Sequence, residues 1–125
     1  MATIKSYTDI EQSKKLAEIL PLESADMVYI KRAINDTFIE TPIVKPEGKI
    51  PKSLPCWSLA ALLYVIPKSI KYYNVLRIDI SENEFSIWYD EIAYGVNNDL
   101  PDITKDNLVD ACVAMIESLN ELNLL

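Results

Sequence analysis

The chain has 125 residues, half of them apolar and a quarter charged, which is the composition of one ordinary globular domain and not of a disordered segment. Its formal charge is −7 and it contains no histidine. The acidic total disfavours binding to nucleic-acid phosphates, and the missing imidazole removes Ser-His-Asp and Cys-His nucleophiles along with the commonest metal ligand.

The charge is unevenly spread. Residues 1–77 carry a net +3, whereas residues 78–125 hold Lys105 alone against eleven carboxylates, a net −10. Such a third of the chain is a solvated face or a surface for a basic partner. No apolar run approaches the roughly 20 residues of a membrane span. The first six residues lack an apolar centre, so no secretory signal and a cytoplasmic location are expected. Cys56 and Cys112 are then expected to be reduced and buried.

In chain order, Thr8-Asp9-Ile10-Glu11 reads as a capping box opening a helix. Ile10, Ser13, Ala17 and Leu20 share its inner face, and Leu20-Pro21 ends it. The stretch from Ala25 to Arg32 reads as a strand. Residues 33–53 are punctuated by Pro42, Pro46, Gly48 and Pro51 and carry Lys45, Lys49 and Lys52, so a basic excursion is expected, with Phe38-Ile39-Glu40 as a short pairing segment. Pro55 suits the first turn of a second helix, whose residues from Cys56 to Ile66 are apolar on nearly every side, as in a buried central helix.

Alternation then becomes strict. Leu76, Ile78 and Ile80 face one way and Arg77 and Asp79 the other; after the turn Ser81–Glu84, Phe85, Ile87 and Tyr89 alternate with Ser86, Trp88 and Asp90. This predicts an antiparallel hairpin. Residues 93–101 read as a loop, and Thr104 as the cap of a last helix whose face is Leu108, Cys112, Met115, Leu119 and Leu122. The sum is a single domain, residues 1–125, of the α+β class: a small antiparallel sheet of three or four strands with three helices packed mainly on one face.

Three strings, Glu11–Met27, Leu54–Leu62 and Asp110–Glu117, in this order resemble a group of small proteins from gut Bacteroides and their phages or mobile elements. The resemblance implies an accessory protein of such an element and attaches no activity, ligand or catalytic residue to it.

The residues themselves offer little chemistry. Gly48 and Gly95 are the only glycines, too few for a phosphate-cradling loop. The two cysteines stand 56 positions apart, unlike the close pairs of zinc sites. Asp90 and Glu91 are neighbours whose side chains leave a strand on opposite faces. No catalytic, cofactor or metal residue is therefore expected. The candidate binding residues are aromatic: Trp88, which points outward or toward a covering loop, with Tyr72, Tyr73 and Tyr94 nearby in sequence. These readings favour a non-enzymatic protein-binding module, contacting a protein partner or itself as a homo-oligomer, with no direct nucleic-acid or membrane contact. The alternatives are an acidic inhibitor that mimics nucleic acid or neutralises a basic partner, with its carboxylates in one patch, and a carboxylate-based enzyme with a deep acidic pocket.

Overall fold

The first helix, α1 (Ile10–Ile19), shows how closely local chemistry sets an end. Its cap is Asp9, one residue later than the sequence pattern indicates, and a reciprocal box joins Asp9 to Gln12: Gln12 N donates to Asp9 Oδ1 at 2.8 Å and Asp9 N to Gln12 Oε1 at 3.1 Å. Thr8, expected as the cap, is instead fully buried. At the other end Leu20 turns to an extended conformation ahead of Pro21. The coordinates are a computed structural model that describes residues 5–32, 34–47, 53–71, 74–91 and 100–125.

Two antiparallel sheets follow. In the first, β1 (Met27–Ile30) lies between β2 (Ile43–Val44) and β3 (Ser53–Cys56). The excursion thus lies against β1, through β2 and through a bridge between Lys31 and Phe38. Pro55 and Cys56 belong to β3 and not to a helix, a correction with a clear cause. The carbonyls of Asp26 and Ile30 accept from Lys45 and Ile39, so the even-numbered positions of β1 turn toward β2. Pro55 is paired with Val28, one of those positions, so its missing N–H faces away from the ladder.

The second helix is accordingly shorter, α2 (Leu59–Val65), capped by Ser58, whose hydroxyl accepts from Ala61 N. It is not the buried centre: Leu62 is its one buried residue and Tyr64 is 88% exposed. Lys68 closes its C-terminus by donating to the carbonyls of Leu63 and Ile66, where a cation meets the negative end of the helix.

The second sheet has the order β4 (Ser69–Ile70), β5 (Asn74–Ile80), β6 (Phe85–Glu91) and β7 (Asp102–Lys105). The hairpin is as expected, with Leu76 opposite Tyr89, Ile78 opposite Ile87 and Ile80 opposite Phe85, closed by Ser81 N donating to Glu84 O at 2.9 Å. Thr104 lies in β7 and caps nothing. The last helix, α3 (Leu108–Glu121), is capped by Asn107, whose Oδ1 accepts from Asp110 N at 2.8 Å.

The expected α+β fold is present; among the described residues its three α-helices accompany two antiparallel sheets, of three and four strands, where the sequence pattern suggests one small sheet. The central helix is α3, seven of whose residues are buried. Its inner face meets Ile87 and Tyr89 of β6, Leu16 of α1, Leu62 of α2 and the fully buried Trp57 in one core. A smaller cluster of Tyr29, Leu54 and Cys56 lies beneath α1 and β1.

Polar contacts lock the N-terminal segment to this core. Lys5 Nζ donates to Asp110 Oδ1 at 2.9 Å and to Asp9 Oδ2 at 3.1 Å, while Gln12 Nε2 and Asn107 Nδ2 each reach Asp110 at 2.8 Å. Burial pushes the Asp110 carboxyl up, but the bonds from Lys5, Asn107 and Gln12 outweigh it and hold the pKa below the ordinary 3.8. A depressed acid stabilises the fold above its unfolded value and loses that contribution as pH falls through the folded one. The urea midpoint of the protein is therefore expected to decline below pH 3.8, and less steeply for Asp110→Asn; parallel pH profiles of the two proteins would contradict this account.

Candidate functional site

The face of the second sheet turned away from α3 gathers the unusual residues. Strand register places Arg77, Trp88 and Asp102 in one row across β5, β6 and β7, and Asp79, Ser86 and Thr104 in the next. The other face carries the core residues Ile87 and Tyr89, so alternation alone puts Trp88 outside. Trp88 is half-buried, while Arg77, Asp79, Asp90, Asp102 and Thr104 around it are exposed. An indole thus occupies the middle of a mostly polar face, with Val75, opposite Asp90, as an apolar neighbour.

The rim is partly self-neutralised. Arg77 Nε lies 3.5 Å from Asp90 Oδ2, a diagonal ion pair beside Trp88, and the hydroxyls of Ser86 and Thr104 bond at 2.9 Å. With Asp79 and Asp102 added, the face is net negative. An amphipathic aromatic surrounded by charges that keep water nearby is the usual composition of a protein contact: the ring supplies area and the rim supplies register.

Of the aromatic candidates the structure places Trp88 here; Tyr72, Tyr73 and Tyr94 lie outside the described residues. The described part of the basic excursion that pairs as a strand, Ile43–Val44, does so with β1 in the first sheet.

Carboxylates elsewhere divide into separate groups. Asp110 is tied inward to Lys5, and Glu117 and Glu121 line a hollow of about 270 Å³ with Lys15 and Glu18. A second hollow of about 330 Å³ is bounded by Lys5, Ser6, Tyr7, Asp9, Tyr29 and Glu40. No carboxylate in either hollow is buried, and Asp9 already serves as a helix cap.

Both thiols are inaccessible. Cys56 is fully buried beside Thr8; burial pushes its pKa up and outweighs the hydrogen bonds from Thr8, Ser13 and Tyr29. Burial pushes Cys112 up to about 12. Neither is a thiolate near neutrality, so native protein at pH 8 is expected to leave both unmodified by a disulfide reagent until denaturant is added. Rapid modification of either thiol in the native state would contradict the burial.

Comparison with known proteins yields no matching family model, no similar curated protein and no similar solved structure.

Proposed function

We propose that this chain is a non-enzymatic protein-binding module, an accessory protein of a phage or mobile element, that docks a partner through the outer face of its second sheet. The observation that carries the reading is the position of Trp88, half-buried at the centre of a face whose other side chains, Val75 apart, are charged or hydroxylated. The resemblance of three sequence strings to small proteins of gut Bacteroides and their phages or mobile elements supports the accessory role. An acidic mimic has less support, because Asp110, Glu117 and Glu121 belong to α3 and its cations, away from Asp79, Asp90 and Asp102.

Affinity capture with native protein and with Trp88→Ala tests this. A specific protein held by the native chain and lost, by at least about tenfold, with Trp88→Ala supports the reading. Equal retention by both, or no specific protein on the native chain, sinks it.

A further inference from the structure

The same sheet has an edge that the described residues leave unfinished. Leu76 N donates to Lys68 O at 2.9 Å, which fixes the even-numbered residues of β5 as those whose backbone groups point away from β6. Among the described residues, β4 and the Lys68 before it cover this edge from Asn74 to Leu76. Beyond Leu76, the outward N–H and C=O of Ile78 and Ile80 face no described strand, and their side chains are 38% and 65% exposed. Between them stands Asp79, exposed and without an ion pair among the described residues, while the nearby Arg77 is held by Asp90.

From these features, and resting on the protein-binding reading above, we infer that the β5 edge takes up an extended segment of the partner that carries a Lys or Arg opposite Asp79 between apolar residues opposite Ile78 and Ile80. Strand addition supplies main-chain bonds for affinity, and alternate side chains supply selection. The apolar residues of such a segment extend the face that holds Ile78 and Ile80. Its cation lies on the outer face, among Asp79 and the carboxylates near Trp88.

A second copy of the chain fits this edge poorly. Pairing must keep like faces together, so only even registers are allowed. A two-fold axis through Ile78 would put the second copy's Ile80 where Lys68 already bonds Leu76. An axis through Asp79 would set two Asp79 carboxylates directly opposite each other, a destabilising pair. An axis through Ile80 would lay Glu82 of the hairpin turn against Ile78.

Amide exchange measured by NMR tests the inference. In the free chain Ile78 and Ile80 amides are expected to exchange readily while those of Arg77 and Asp79, bonded to β6, are protected. The full chain is then titrated to millimolar concentration with two ten-residue peptides, alike except for a central Ile-Lys-Ile or Ile-Glu-Ile. The lysine peptide is expected to protect Ile78 and Ile80 and to bind at least about fivefold more tightly than the glutamate peptide, with Asp79→Lys reversing the order. Equal affinities, or no protection at these two amides, would overturn it. Protection that grows with protein concentration in the absence of peptide would overturn it in favour of self-association. If Trp88→Ala abolishes capture while the lysine peptide protects neither amide, strand addition fails and the sheet-face reading stands; the converse result removes the face and leaves the edge.

Discussion

Replacing Trp57 with Ala is expected to lower folding stability by about 3–5 kcal/mol, the range for deleting a large buried aromatic. Trp57 has no exposed surface and lies in the core with Leu16, Leu62 and the inner face of α3. Its indole Nε1 also donates to Ser24 Oγ at 2.9 Å, and Ser24 in turn donates to Pro21 O at 2.6 Å, so the ring secures the turn after α1 as well as filling space. Removing it leaves a cavity that three helices and a strand cannot close without moving together. Trp88→Ala, on the half-buried face, is expected to cost only about 1 kcal/mol, the scale of a cross-strand pair. Urea titrations followed by far-ultraviolet circular dichroism separate the two, and similar losses for both variants would mean that the division into a structural and a binding tryptophan is wrong.

That division was partly legible in the sequence. Period-two alternation from Leu76 to Tyr89 puts Trp88 on the face opposite Ile87 and Tyr89, and the strand register has it there. The ends of elements were not so readable. Thr8 and Thr104 are good caps by residue type, yet Asp9 and Asn107 do the work, because a cap is decided by which side chain reaches the free N–H and both kinds fit the pattern locally. Pro55 was ambiguous for a related reason: a residue lacking N–H suits a first helical turn and an outward-facing edge position equally, and only the pairing with Val28 distinguishes them. The apolar run that follows it suggested a central helix, whereas its residues are shared between the end of β3 and one side of α2. Least legible was the open edge at Ile78 and Ile80. It exists because β4 stops after two residues, a fact of tertiary pairing that no local pattern around β5 contains.

Thr8→Val is expected to cost about 2–4 kcal/mol although it preserves shape, because it removes the hydroxyl on which two buried groups depend. Thr8 Oγ1 accepts from Trp57 N at 3.1 Å and bonds Ser13 Oγ at 2.8 Å, and Thr8 and Ser13 have no exposed surface. Trp57 N would be left without a partner, at a cost of about 1–3 kcal/mol, and Ser13 Oγ would keep only its hydrogen bond with Cys56. The main-chain bonds of Thr8, from its N to Trp57 O at 2.9 Å and to its carbonyl from the Tyr29 hydroxyl at 2.6 Å, remain in the variant, so the loss isolates the hydroxyl. Adding Ser13→Ala removes the partner that Thr8→Val has already weakened, so the double variant is expected to cost less than the sum of the two single variants. That shortfall is the telling result, since a second core substitution in an unrelated place adds its full cost. If Thr8→Val cost less than about 1 kcal/mol, or if the double variant were simply additive, the buried hydroxyl pair would not be what fastens the first segment to β3 and Trp57.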